Sequence, residues 1–304
     1  MSLNADTLID RAHLKGQIAK WRVVAITVIV LSVILLTREF DATPHGDYIA
    51  RVTVEGIIVD DVKRDELFDD LEEDDAVKAV VLRMDSPGGT VVGGEELYRN
   101  IKELAEIKPV VVVMRSMATS AGYMATLGAN RIMASPGTLT GSVGVLLQSA
   151  EITEMAQKLG IDPLVIKSGE NKAAPNPLEE TTPANRAMLE KVVASYFNLF
   201  LSMVVEHREL SEATIIQLSD GRVYTGAQAL EIGLIDAIGN EDDAIQWLEA
   251  EAGIEADLDV EDRKPERERP EGVPGLLGQL AKNMNPFPQI QLDGLVSIWQ
   301  PKPM

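Results

Sequence analysis

Val110-Val111-Val112-Val113-Met114-Arg115-Ser116-Met117-Ala118-Thr119-Ser120-Ala121-Gly122-Tyr123 is the stretch from which the fold can be read. Its first five residues are apolar β-formers without a polar face, the pattern of a strand buried on both sides. Met124 to Leu127 can continue as a helix. Ser120 therefore stands where a buried strand hands over to a helix, at the helix's positive end. Ala121 and Gly122 let another backbone come close, and free N–H groups there can receive a developing negative charge. A nucleophilic serine fits this setting. An ordinary N-cap serine in a tight turn fits it too, and the rest of the chain has to decide.

Working outward, strand and helix patterns alternate. Tyr48–Val54 and Val77–Met84 read as strands, Val62–Leu71 and Gly94–Ile107 as helices. Arg131–Ala134, Val143–Leu147 and Leu164–Lys167 read as short strands, and Ile152–Leu159 as a helix. From Pro183 to about Glu209 runs one long helix, with Leu189, Val192, Val193, Tyr196, Phe197, Phe200 and Val204 at helical spacing, a stripe suited to core or subunit contact. A short helix follows Thr225-Gly226 and ends at Gly233. This alternation predicts an α/β layer with a largely parallel sheet.

Composition narrows the function. The 304 residues carry a net charge of −20 with no basic patch, which argues against a nucleic-acid partner. Cysteine is absent, so disulfides and thiolate chemistry are excluded. The three histidines, His13, His45 and His207, are scattered, and no clustered metal ligands are visible. A nucleophilic serine here would need a base other than histidine, and lysine is the next candidate because burial can lower its pKa.

The termini are distinct. Residues 1–20 are polar, with Arg11, Lys15 and Lys20. Trp21-Arg22 then opens an uncharged run from Val23 to Thr37, closed by Arg38. The run is short for a bilayer, but Trp21, Arg22 and Arg38 can anchor its ends. A signal-peptide core is the rival, although no small-residue cleavage site follows it. The charge bias predicts a single-pass anchor over 21–38, a cytoplasmic tail over 1–20 and an exported globular part over 47–255. Residues 256–304 form an acidic, Pro-rich stretch. Glu261 to Glu271 reads as a solvated linker, and composition leaves the remainder open between disorder and docking on a partner.

Three further segments bear on Ser120. Asp85-Ser86-Pro87-Gly88-Gly89-Thr90 follows a buried strand, and a Pro-Gly-Gly turn can present N–H groups to a ligand. One oxyanion donor would come from here, with the N–H of Ala121 as the other. Thr140-Gly141-Ser142-Val143-Gly144-Val145 offers a hydroxyl between glycines. Ile166-Lys167-Ser168-Gly169-Glu170-Asn171-Lys172 precedes Ala173-Ala174-Pro175, a setting that can bury an ammonium. Each has a plain structural reading when taken alone.

In this order, together with Tyr224-Thr225-Gly226 through Gly233-Leu234-Ile235-Asp236, these segments over residues 48–240 resemble the signal peptide peptidase A family, membrane-anchored Ser–Lys peptidases of the crotonase/Clp-like superfamily. The resemblance implies Ser120 as nucleophile, Lys172 as general base, Ser142 as the hydroxyl that holds the lysine, and Gly89 with Ala121 as oxyanion donors. It also implies remnants of cleaved signal peptides as substrates, a homo-oligomeric ring, and no cofactor or metal. A free lysine with a pKa near ~10.4 must be brought to ~7–8 to act as a base, a cost of about 4 kcal/mol that burial can supply. Two alternatives stand beside this reading: a crotonase-type acyl-CoA enzyme, and an inactive membrane-tethered scaffold. A carboxylate base, Asp85 or Glu170, is the alternative to lysine.

Overall fold

The computed structural model describes residues 20–22, 24–28 and 46–266, and the backbone of 295–298. Residues 20–22 and 24–28 are helical; the rest of the expected anchor over 21–38, and the cytoplasmic tail apart from residue 20, lie outside the described residues.

From residue 46 onward the chain builds a sheet with helices on both faces. Strands β1 (Tyr48–Ile58), β2 (Val77–Thr90), β3 (Val110–Thr119), β4 (Arg131–Ala134), β8 (Ala237–Ile238) and β9 (Asp259–Arg263) lie in the order β9-β1-β2-β3-β4-β8, every neighbouring pair parallel. Helices α1 (Val62–Glu73), α2 (Val91–Ile107), α3 (Ala121–Thr126) and α5 (Pro183–His207) pack on one face. Helix α8 (Glu241–Ala250) packs on the other. The strands' own alternation sets this up. Val80, Leu82, Val110 and Val112 point into the larger cluster with Phe68, Leu97, Ile101 and Phe200, while Ala79, Val81, Val111 and Val113 meet Ala244 and Leu248. A strand buried on both faces needs apolar residues at every position, which is why the Val110–Val113 run carries none that is polar.

Two local differences from the sequence reading matter for the site. The expected turn at Asp85–Thr90 is the continuation of β2 as a strand, with register shifts that absorb the Ser86-Pro87 step. The expected strand over Leu164–Lys167 is absent. Leu164 and Ile166 are 85% and 88% exposed, and no strand among the described residues pairs with them. Helix α6 (Glu212–Leu218), strand β7 (Val223–Thr225) and α8 appear in regions the sequence left blank. Residues 259–263, whose charge reads as the start of a linker, form the strand beside β1. There Arg51 pairs with Asp262, and Arg263 with Asp74.

At their carboxyl ends β2 and β3 part company. Their pairing ends at Ser86–Ala118. The end of β3 then pairs with β5 (Leu139–Gly141), itself antiparallel to β7. The end of β2 pairs with Ile57 and Ile58 of β1 and, antiparallel, with the short strand β10 (Leu295–Ile298). A crevice between diverging strand ends is where open α/β sheets place their ligands.

Candidate active site

Ser120 closes β3. Its N–H donates to the Gly141 carbonyl at 2.8 Å, and its carbonyl accepts from the Met124 N–H at 2.9 Å in the first turn of α3. Between these two bonds the residue is forced to φ 56°, ψ −120°, a region almost closed to any side chain with a Cβ. Such a conformation costs about 1–3 kcal/mol and persists only where the surroundings impose it. Ser120 is 2% exposed, and although it stands at the N-cap position its hydroxyl makes no capping bond to the helix. Instead Oγ is directed toward the Gly144 carbonyl, 3.5 Å away. The N-cap explanation of this serine therefore fails. A strained strand-to-helix turn that projects a hydroxyl away from its own helix is the device by which α/β hydrolases expose a nucleophile.

Across the crevice, β2 comes so close to β1 that Gly89 is compulsory. A Cβ there would lie 1.7 Å from the Ile58 carbonyl oxygen. Ser86 secures the bend, its Oγ donating to the Gly56 carbonyl at 2.6 Å and accepting from the Gly88 N–H at 3.1 Å. Gly122 seats the start of α3 against this bend, since a Cβ on it would meet the Ser86 carbonyl at 3.1 Å. The Gly89 strand and the Ala121 turn are thus braced against each other through Ser86. Asp85 is committed elsewhere: it accepts from Ser116 Oγ and from the Met117 N–H, both at 3.2 Å.

Ser142 follows Gly141, the residue that holds Ser120. It is half-buried at φ 52°, and its N–H donates to the Arg222 carbonyl at 2.9 Å. Lys172 contrasts with all of these. It lies in a turn closed by its own N–H on the Gly169 carbonyl at 3.0 Å, is exposed, and forms no side-chain hydrogen bond or ion pair among the described residues. Lys167 is occupied by Glu179, whose carboxylate lies 2.8 Å from Nζ; Lys167 and Asn176 together hold that carboxyl below its usual range. The protomer therefore places Gly89, Ala121, Ser142 and Ser120 along one crevice, and no hydrogen bond or ion pair among the described residues joins the Lys172 side chain to them.

Sequence reasoning missed the groove beside the serine. About 680 Å³ opens between the Val143–Leu147 segment and one face of α5, where Leu189, Val193 and Phe197 line it. Those residues belong to the stripe read as core or subunit contact, yet the apolar side chains of α5 that are buried, Phe200, Met203 and Val204, all lie in its C-terminal part. The groove is lined in part by Gly144, whose carbonyl faces Ser120 Oγ. A stripe longer than its helix can bury was the available signal. By length and composition α5 is also the one described helix apolar enough to cross a membrane. Beneath the crevice, Tyr123 donates from its hydroxyl to the Leu234 carbonyl at 2.9 Å, and burial holds that phenol protonated well above its ordinary range.

Residues 102–255 match the model of peptidase family S49. "Putative protease slr0021" of Synechocystis is 36% identical over 241 residues, covering 78% of this chain and 87% of that protein. "Putative protease MJ0651" of Methanocaldococcus jannaschii is 38% identical over 188 residues, 62% of this chain and 60% of that one. "Putative signal peptide peptidase SppA" of Enterococcus faecium is 34% identical over 185 residues, covering 60% and 53%.

Proposed function

Because this chain belongs to peptidase family S49 and is a serine peptidase, we propose that Ser120 is its nucleophile and that the groove beside it takes extended apolar peptides. The observation that carries this is the conformation of Ser120: strained, buried, and with its hydroxyl turned away from the helix it begins. Oγ attacks the peptide carbonyl. The Gly89 and Ala121 N–H groups, on the two strand ends braced through Ser86, receive the oxyanion. Lys172 in its neutral form takes the Ser120 proton and returns it to the leaving amine, and water then hydrolyses the acyl-enzyme. Ser142 orients the amine.

Lys172 is exposed in the single protomer, and a lysine base needs a dry setting. We read that setting as supplied by a neighbouring copy in a homo-oligomeric ring of the crotonase/Clp-like kind. Met155, Leu159, Leu164 and Ile166, all more than half exposed on the same arm of the chain, are the surface such a neighbour would cover. The apolar lining at Leu189, Val193 and Phe197 suits segments of cleaved signal peptides, in keeping with the name of the Enterococcus relative. The anchor over 21–38, with the domain on the exported side of the cytoplasmic membrane, completes the reading. Membership of a peptidase family displaces the acyl-CoA and scaffold alternatives.

The deciding experiment is labelling with a fluorophosphonate in detergent. Modification at Ser120, absent in Ser120→Ala, is the expected result. Peptide hydrolysis that survives in Ser120→Ala would overturn the assignment. In the same preparation kcat/KM on an apolar peptide should rise with pH, and Lys172→Arg should be inactive throughout, because arginine cannot surrender its proton. A rate already flat by about pH 6 would indicate a carboxylate base instead.

A further inference from the structure

Arg64 is buried where local electrostatics oppose a cation. It stands in the first turn of α1, at the positive end of the helix, and is 7% exposed. Its Nε is buried without a hydrogen-bond partner, and no carboxylate among the described residues lies within ion-pair distance of it. Burial draws its pKa down, and Asp65, Asp61, Asp60 and Glu96 oppose this only from farther away. An unpaired guanidinium out of water is costly to a fold. One directed bond accounts for its orientation: Nη2 donates to the Val59 carbonyl at 2.9 Å.

Val59 lies just past the end of β1, where Ile57 and Ile58 pair with Gly88 and Gly89. Two glycines rest on this exit with no side chain between. A Cβ on Gly89 would lie 1.7 Å from the Ile58 carbonyl oxygen, and one on Gly93 would lie 2.5 Å from the Val59 carbonyl carbon. Between them Thr90 caps α2, its Oγ1 accepting from the Gly93 N–H at 3.0 Å. The backbone of residues 58–60 is therefore the rail on which both the Gly89 strand end and the start of α2 are set. Contact this close passes any shift of the rail to Gly89. Residues 59–61 belong to no strand or helix, and the Val59 side chain is 39% exposed, so core packing does not fix the rail. The bond from Arg64 does.

We propose that Arg64 is a positioning residue for peptide hydrolysis: by holding the Val59 carbonyl it fixes the Ile58–Asp60 backbone, and through it the aim of the Gly89 N–H at the oxyanion. The proposal rests on the reading of Ser120 as the nucleophile and of Gly89 as an oxyanion donor. Arg64 touches no substrate in this role. Its charge serves to make one hydrogen bond strong and short of alternatives, since a buried charged donor binds a carbonyl more firmly than a neutral one.

The test is a set of full-length variants assayed in detergent, well below their melting temperatures. Arg64→Met fills similar space with apolar atoms. It should lower kcat on an apolar peptide by about tenfold to a hundredfold, the range for groups that act through another residue, with KM within about twofold. Its melting temperature should not fall, because no buried charge is left unpaired. Arg64→Lys, which returns one donor without the planar fork, should lie between Arg64→Met and the parent chain in kcat. A purely structural arginine would give the reverse pattern, a lower melting temperature with kcat unchanged, and that result would overturn the proposal. So would an Arg64→Lys no more active than Arg64→Met. A second readout carries the test if Arg64→Met does not fold. A peptide boronate forms a tetrahedral adduct on a serine Oγ and sets an oxygen where the oxyanion would lie. Its Ki should rise in Arg64→Lys in proportion to the loss of kcat/KM, while the uncleaved peptide binds unchanged to the same variant carrying Ser120→Ala. A Ki equal to the parent's would overturn the proposal alone. No adduct on Ser120 in the parent chain would instead remove the nucleophile assignment, and the proposal with it.

Discussion

The serine and the lysine assigned to this peptidase sit in regions of opposite physical character. The turn at Ser120 is buried, strained, and clamped by backbone bonds to Gly141 and Met124, with Gly122 pressed on Ser86 beneath it. The loop of Lys172 belongs to a stretch from 161 to 181 without a strand or helix, and its ammonium is solvent-facing. The sheet can hold the proposed nucleophile and the proposed oxyanion donors within one protomer, because parallel strands bring distant backbone segments into register. It does not prepare the proposed base, because none of the described residues pairs with the Lys172 side chain, which stays exposed. The contrast assigns stability and chemistry to different residues, and substitutions should separate them.

The largest effect should come from the loop side. Lys172→Ala should lower kcat by at least about a thousandfold, since nucleophile and base fail together, while the melting temperature stays unchanged because an exposed ammonium is lost. Lys167→Ala, which removes only the partner of Glu179, should leave kcat within a few-fold. If the two lysines exchange these outcomes, Lys167 is the base. On the sheet side, Gly89→Ala should damage both properties. The methyl drives into the Ile58 carbonyl, costing about 1–3 kcal/mol of stability, and the displaced N–H should lower kcat about a hundredfold. Calorimetry beside steady-state kinetics checks both, and an active, fully stable Gly89→Ala would break the contrast.

Ser142→Ala tests the join between the two regions. A loss of about tenfold to a hundredfold in kcat, with a displaced pH–rate limb, is expected of a group that orients the amine. A purely structural serine would leave the limb in place. The smallest effect lies farthest from the site, where β9 is tied to the sheet. Tyr48 donates to Asp74 at 2.9 Å, and Arg263 bonds both. Burial and the bond to Asp74 push the Tyr48 phenol up to about 12. For Asp74 burial works upward, but the bonds from Tyr48, the Ala76 N–H and Arg263 outweigh it and hold the carboxyl below its ordinary range. A carboxyl lowered in the folded state contributes stability above its unfolded pKa and loses it as pH falls through the folded value. Thermal melts should therefore weaken on acidification in that window, and Asp74→Asn, less stable by about 1 kcal/mol at neutral pH, should flatten the trend.

Much of this architecture was legible along the chain. The Val110–Met114 run, the alternation of strand and helix, and the long helix from Pro183 all follow from side-chain periodicity, a local property. Short segments were less legible. Val223–Thr225, Asp259–Arg263 and Leu295–Ile298 are strands only because an edge of another strand is there to receive them. The charged Asp259–Arg263 segment looks solvated until Arg51 and Asp74 are seen beside it. Leu164–Lys167 is the converse, apolar enough for a strand but with no edge to join among the described residues.

The sequence alone determined which residue types are present to do chemistry. It offers no cysteine and only scattered histidines, a serine after a buried strand, glycines where backbones must touch, and lysines and carboxylates as the remaining bases. The tertiary structure alone decided how they are used. It imposed the conformation of Ser120, closed Gly89 onto Ile58, opened a groove along α5, and brought a strand from the far end of the chain against Gly88–Thr90. Composition and periodicity report what a segment can form by itself. Backbone strain, close approach and strand pairing arise only between segments far apart in sequence, so no local reading contains them.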